Sequence, residues 1–209
     1  MNLPLSVLIA YLLGAVPFGL LVGFLVGKDV REHGSRNIGA TNVMRVCGLG
    51  WGLLALFLDG FKGFAPVWWL GRGGLLPIPD SRLVAAQALI AFAAILGHTF
   101  PVYLKFRGGK GVATSTGAFL ALMPAATGIA FLAFAAAVAT TRYVSVGSTA
   151  AAVALALAYH RLQEEPYGRS LPLTILVWLV LALILVRHRA NYARLWRGTE
   201  NKIGQKTGP

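Results

Sequence analysis

Long apolar runs separated by short basic, glycine-rich or amide-rich stretches organise this chain from end to end. A membrane-crossing helix needs roughly 20 mainly apolar residues, and the stretches 3–27, 49–70, 83–104, 143–160 and 170–186 approach or satisfy that length. The first run has no basic residue ahead of its apolar part and merges into a basic loop at Lys28, so it reads as a retained span and not as a cleaved signal. Val112 to Ala139 is also apolar, with Pro124 near its middle, and could form one tilted helix or two short ones.

The placement of positive charge decides between these. Basic residues gather at 28–45 (Lys28, Arg31, Arg36, Arg45), at 105–110 (Lys105, Arg107, Lys110), at Arg142 and at 187–206 (Arg187, Arg189, Arg194, Arg197, Lys202, Lys206). The loops 71–82 and 161–169 carry only Arg72, Arg82, Arg161 and Arg169. The positive-inside rule then puts the four rich regions in the cytoplasm and the amino terminus outside. For 105–110 and Arg142 to lie on one side, the chain between them must enter and return, turning near Met123-Pro124. The expected architecture is therefore an all-α, polytopic integral membrane bundle of about seven transmembrane helices, two of them short around Pro124. It is read as a single domain, 1–209, with motif loops and carboxyl terminus cytoplasmic.

Composition agrees with lipid as solvent: 56% of the 209 residues are hydrophobic and 12% charged, and mean hydropathy is +0.68. The net charge of +12 points to orientation and to anionic ligands or lipids before nucleic acid, for which no separate soluble domain exists. Cys47 is the lone cysteine, which excludes an internal disulfide, and no Cys/His spacing suits a metal.

Four stretches carry chemistry. Residues 34–48 pack Ser35, Asn37, Gly39 and Asn42 ahead of Arg45; the amides and hydroxyl can donate hydrogen bonds, the glycines admit a ligand close to the backbone, and Arg45 offers a fork suited to phosphate oxygens. A solvated turn with Ser35 or Asn37 as a helix cap is the structural alternative. Next, Lys105-Phe-Arg-Gly-Gly-Lys-Gly111 precedes an apolar helix starting near Val112. Gly108, Gly109 and Gly111 around Lys110 combine backbone N–H groups, the positive end of a helix dipole and a mobile ammonium, an arrangement for binding an anion. It is not a nucleotide P-loop, because Gly111 stands where Ser or Thr should follow the lysine. Third, Ser145 and Ser148 open the helix after Arg142 on one face. Fourth, His188 and Asn191 sit on adjacent turns at the end of the last span, and a polar tail with Glu200 and Lys202 can fold back over a site. Arg194, Trp196 and Arg197 read as interfacial anchors. Asp59 and Lys62, three residues apart inside the second span, are expected to pair.

Together these motifs resemble the bacterial acyl-phosphate:glycerol-3-phosphate acyltransferases, the PlsY family, over nearly the whole chain. The family's Ser-x-Asn-x-Gly-x-x-Asn pattern is met by Ser35, Asn37, Gly39 and Asn42, its Gly-Gly-Lys-Gly turn by Gly108 to Gly111, and its third region by Ser145, Gly147 and Ser148. Its late elements are met by His188, Asn191, Gly198, Glu200 and Lys202. The resemblance implies acyl transfer from acyl phosphate, not acyl-CoA, to the sn-1 hydroxyl of glycerol 3-phosphate, giving lysophosphatidate and inorganic phosphate at the cytoplasmic face of the bacterial inner membrane. No cofactor or metal is implied. The implied partners are glycerol 3-phosphate, acyl phosphate and membrane lipids, with room for a soluble acyl-phosphate-synthesising enzyme.

The chemistry expected is direct attack, since neither a Gly-x-Ser-x-Gly elbow nor a His-x-x-x-x-Asp arrangement occurs. Ser35, Arg45, Lys110, His188 and Asn191 are assigned to catalysis around the glycerol phosphate. Asn37, Gly39, Asn42, Gly108, Gly109, Gly111, Ser145, Ser148, Glu200 and Lys202 are assigned to substrate binding, with the 108–111 backbone and the two serines holding the acyl phosphate head. His188 or a substrate phosphate oxygen accepts the proton. A carrier for organic phosphates and a non-catalytic lipid-binding scaffold are the competing classes; ionisable groups near the bilayer midplane would favour the first, and neither explains the serine and amide pattern.

Overall fold

The computed structural model describes residues 2–71 and 80–204; Arg72 and Lys206, which entered the charge argument, lie outside them. Among the described residues all regular structure is helical, and the chain clusters into two compact units, Met1–Leu122 and Met123–Pro209.

The first unit holds α1 (Leu3–Ala15), α2 (Phe18–Leu25), α3 (Ala40–Cys47), α4 (Leu49–Leu70), α5 (Asp80–Thr99) and α6 (Val112–Leu122). The Asn2 side chain caps α1 by accepting from the Leu5 amide at 3.1 Å. Pro17 then interrupts the run, because it cannot donate to the helical ladder, and α2 resumes one residue later. The break frees the Val16 carbonyl, to which Lys62 Nζ of α4 donates at 2.7 Å. The same ammonium lies 2.7 Å from Asp59 Oδ1, and both side chains are buried, so the expected pairing inside the second span is present.

Close backbone contact holds these helices together. A Cβ on Gly63 would collide with the Thr114 carbonyl, and one on Gly117 with the Gly60 carbonyl, so α4 and α6 meet glycine to backbone. Gly14 and Gly97 do the same for α1 and α5, against Ala94 and against Tyr11 and Ala15. Small residues serve here because lipid chains are as apolar as leucine, so helices associate by intimate packing and not by escape from water. Gly117→Leu is therefore expected to lower the melting temperature in detergent by roughly 3–10 °C. Gly128→Leu, where nothing lies within 4 Å of the added carbon, is the control and should melt with the parent.

The second unit holds α7 (Pro124–Thr141), α8 (Val144–Leu162), α9 (Leu171–Arg187) and α10 (Arg189–Trp196). α7 packs along α8, and α8 against α9. Proline opens both α7 and α9 in the first turn, where its missing N–H costs nothing. Tyr159 of α8 ties the start of α9, its hydroxyl 3.1 Å from both the Ser170 carbonyl and Thr174 Oγ1.

Four helical stretches are long and apolar enough to cross a membrane: Leu3–Leu25, Leu49–Leu70, Arg82–Leu104 and Pro124–Thr141. Leu171–Arg187 with Arg189–Trp196, bent by 48° between them, makes up to five. α8 is 19 residues long, but with Ser145, Gly147, Ser148, Thr149 and His160 along it, it is not among them. These described residues thus support four or five spans and not the full seven. The chain does break at Met123-Pro124 as expected, but the halves are unequal. α6 has 11 residues, about 16 Å at 1.5 Å per residue, whereas α7 has 18 and is itself a candidate span. Large apolar side chains such as Leu8, Phe57, Phe61, Phe131 and Leu132 face outward, as lipid-exposed positions should.

Candidate active site

In the first unit, the loop between α2 and α3 is built around one amide. Asn42, in the first turn of α3 and 2% exposed, accepts from the Ser35 amide at 2.8 Å. Its Nδ2 donates toward the carbonyls of Val30, His33 and Asn37 at 2.8, 3.1 and 2.9 Å. Gly34 and Arg36 take left-handed backbone angles, φ 61° and 57°, which wind the loop around that amide. Asn37 Oδ1 accepts from the Gly39 amide at 2.9 Å. α3 begins with Gly39 as its cap and no side-chain capping bond, so neither Ser35 nor Asn37 is the helix cap considered above. Asn42, expected to contact substrate, bonds the loop's own backbone with both ends of its amide and so fixes the loop's shape. At the loop's entry, hydrogen bonds from Arg31, the shortest 2.6 Å, hold the Asp29 carboxyl below the usual carboxylate range. Arg45 lies in the last turn of α3, where a cation also complements the helix dipole.

The second loop follows α5. After a short 3-10 turn at Val102–Leu104, Lys105 and Phe106 are both left-handed (φ 50° and 62°), which turns the chain back toward the end of α5. Gly108 and Gly109 then lie directly on His98. A Cβ on Gly108 would strike the His98 carbonyl and the Pro101 ring, and one on Gly109 would strike the His98 imidazole. The Gly109 amide donates to the His98 carbonyl at 3.1 Å, so that N–H, expected to face an anion, is used to seat the turn. Gly111, at φ 83°, completes it, and α6 starts at Val112 with the Ser115 amide bonded to Gly111 O at 2.8 Å. Lys110 is half-buried at this helix start. Leu104, beside this loop, packs on the cluster of Leu20, Val22, Val30, Ile38, Val43 and Ala55. Val30 and Ile38 of that cluster belong to the first loop.

In the second unit a single carboxylate gathers the motif residues. Glu200 Oε1 accepts from Asn191 Nδ2 at 2.6 Å and from Ser145 Oγ at 3.2 Å, while Oε2 accepts from Arg194 Nε at 2.7 Å. The carboxylate-bearing side chain is 8% exposed. The tail folds back as expected, and is further tied by Ile203 N–H to Arg142 O at 2.9 Å and Arg142 Nη2 to Ile203 O at 2.8 Å. Lys202 Nζ stands 5.4 Å over the Tyr143 ring. Arg194, read above as an interfacial anchor, is instead a partner of Glu200, whereas Trp196, 94% exposed, fits the anchoring role. Ser148 Oγ donates to Val144 O at 2.9 Å, so the two serines share a face but not a task.

His188 is the kink between α9 and α10. Its buried ring places Nδ1 2.8 Å from the Ile184 carbonyl, a contact that requires Nδ1 to carry the proton and leaves the neutral ring's lone pair on Nε2. Tyr192 stacks on it at 6.2 Å and is held by Thr149 at 2.8 Å. Sequence reasoning gave no site role to His98, Tyr192 or Thr149, and used Arg142 only for orientation. A histidine in an apolar span was the available signal for the first, since an ionisable group there needs a partner. Among the described residues no group of three or more His, Cys, Asp or Glu is placed to hold a metal ion.

A family model for glycerol-3-phosphate acyltransferase matches residues 4–198. A relative from Desulfotalea psychrophila, named glycerol-3-phosphate acyltransferase, is 46% identical over 95% of this chain and 97% of its own. Another of the same name, from Syntrophotalea carbinolica, is 43% identical over 95% of this chain and 96% of its own. Among solved structures, the glycerol 3-phosphate form of the integral membrane acyltransferase PlsY (YgiH) superposes with a TM-score of 0.86 at 35% identity, covering 98% of this chain and 96% of that one. Its lysophosphatidic acid form gives 0.83 over the same shares.

Proposed function

The chain belongs to the glycerol-3-phosphate acyltransferase family, and from that premise we propose that its donor is an acyl phosphate and its acceptor the sn-1 hydroxyl of glycerol 3-phosphate. The hydroxyl oxygen attacks the acyl carbonyl carbon, the carbon–oxygen bond to phosphate breaks, and lysophosphatidate and inorganic phosphate leave. Acyl phosphate is a mixed anhydride and already activated. The protein has only to bring two anions together, offset their repulsion and stabilise the oxyanion that develops.

The observation that carries this reading is the Gly108–Gly111 turn at the start of α6, which presents Lys110 together with the positive end of the helix. Arg45 supplies a second cation in the same unit. Asn191, aligned by Glu200, supplies a neutral donor, Ser145 gives its hydroxyl proton to that same carboxylate, and Ser35 with Asn37 and Gly39 lines the first loop. His188 or a substrate phosphate oxygen accepts the hydroxyl proton, which leaves with the inorganic phosphate. Because acyl phosphate is already activated, direct attack by the substrate hydroxyl needs no serine nucleophile, and an acyl-enzyme is not invoked. The motif loops face the cytoplasm of a bacterial inner membrane, with the acyl chain between helices and open to lipid. A soluble enzyme that makes acyl phosphate supplies the donor.

The test is direct. Purified protein given synthetic acyl phosphate and labelled glycerol 3-phosphate, without added metal, should yield 1-acyl lysophosphatidate and stoichiometric phosphate. Comparable transfer from acyl-CoA, or none from acyl phosphate, would overturn the donor assignment; acyl groups found at the sn-2 position would overturn the acceptor.

A further inference from the structure

Three ionisable side chains lie buried together in the first unit, and the mechanism above uses none of them. Asp59 and Lys62 of α4 pair at 2.7 Å, and His98 of α5 brings Nδ1 to 3.5 Å from Asp59 Oδ1. All three are 5% exposed or less. Such a group adds little to stability, since desolvation offsets the attraction and apolar side chains of similar volume would pack at least as well. Its geometry suggests another use. One side of the His98 ring faces Asp59, and the other lies against the Gly109 backbone so closely that a methyl group there would collide with Nε2, Cε1 and Cδ2. The His98 carbonyl meanwhile accepts from the Gly109 amide.

We infer that Asp59 and His98 are positioning residues: the carboxylate sets the imidazole, and the imidazole sets the Gly108–Gly111 turn at the height that substrate phosphate requires. This rests on the reading that the turn binds substrate. Lys62 is the counter-charge that allows Asp59 to be buried, and it is itself anchored on the Val16 carbonyl at the break between α1 and α2.

The experiment is a small set of variants in the acyl-transfer assay, with melting temperature measured on each. His98→Ala is expected to raise KM for acyl phosphate at least tenfold, with a smaller change in kcat. Gly109→Ala should do the same by pushing against the ring. In the His98→Ala/Gly109→Ala double variant the added methyl occupies space the ring has left, and KM should return to within about threefold of the parent. Asp59→Asn/Lys62→Met removes both buried charges, so its melting temperature should stay near the parent's while KM for acyl phosphate remains raised at least fivefold. The inference is overturned if His98→Ala keeps the parent's KM, if the double variant is additive, or if Asp59→Asn/Lys62→Met matches the parent in both measures. Should His98→Ala fail to fold, the charge-free variant alone decides. A Lys110→Ala control separates the two levels: parental activity there sinks the reading of the turn itself, whereas a large loss there with no effect in the other variants sinks only this inference.

Discussion

Lys110→Ala is expected to lower kcat/KM by about 100-fold or more, the usual consequence of removing one preorganised charge from a site where negative charge develops. The turn that carries Lys110 is independently built. The Gly109 amide bonds His98 O, Gly111 is left-handed, and α6 is launched by the Ser115 amide on Gly111 O. These bonds are made by the backbone, and the melting curve of the variant is measured beside its rate. Loss of rate with an unchanged melting curve would mark a chemical role. Lys110→Arg should recover only part of the loss, because a broad planar fork replaces a compact ammonium. Full activity in a folded Lys110→Ala protein would remove the turn from the mechanism.

Glu200→Ala should cost nearly as much, for a different reason. That carboxylate accepts from Asn191, Ser145 and Arg194 at once, and its loss leaves three donors to reorient. Each buried donor left unsatisfied costs about 1–3 kcal/mol, and a displacement of about 1 Å in a positioning group can cost about 100-fold in rate. A loss on the order of 30- to 100-fold is expected, chiefly in kcat. A fall in melting temperature should accompany it, since the tail is fastened through the same group. Glu200→Gln, which keeps one acceptor oxygen and puts an amide nitrogen in place of the other, should fall between. If Glu200→Ala instead raised KM for one substrate and left kcat and melting temperature alone, Glu200 would be a substrate ligand, as its sequence position first suggested, and not the organiser of Asn191.

The contrast between these residues shows how far a linear reading reaches. Lys110 could be singled out because its chemistry is local: the glycines beside it and the helix after it are neighbours in the chain. Glu200 could be noticed but not understood, because Ser145 lies 55 positions away and the contact between them exists only once the tail has folded back. Asn42 shows the same limit. An amide in a glycine-rich loop has the same composition whether it faces a ligand or the loop's own carbonyls, and only the folded backbone shows that three carbonyls converge on it. His98 drew no assignment because nothing near it in the chain predicts Asp59 on one side of its ring and Gly109 on the other.

Hydropathy and charge placement were enough to indicate an all-helical membrane protein, and motif spacing to mark its candidate loops; acyl transfer onto glycerol 3-phosphate came from the resemblance of those motifs to a family. All of these are properties of short segments and of the solvent they prefer. Which helices pair, and so which polar groups meet, was settled by packing in three dimensions. In a membrane chain a helix face turned to lipid and one turned to protein are both apolar, so the one-sided pattern that reveals partners in a water-soluble bundle is weak or missing. The glycine contacts of α4 with α6, the seat of the Gly108–Gly111 turn on His98, and the Glu200 hub belong to that second kind of information.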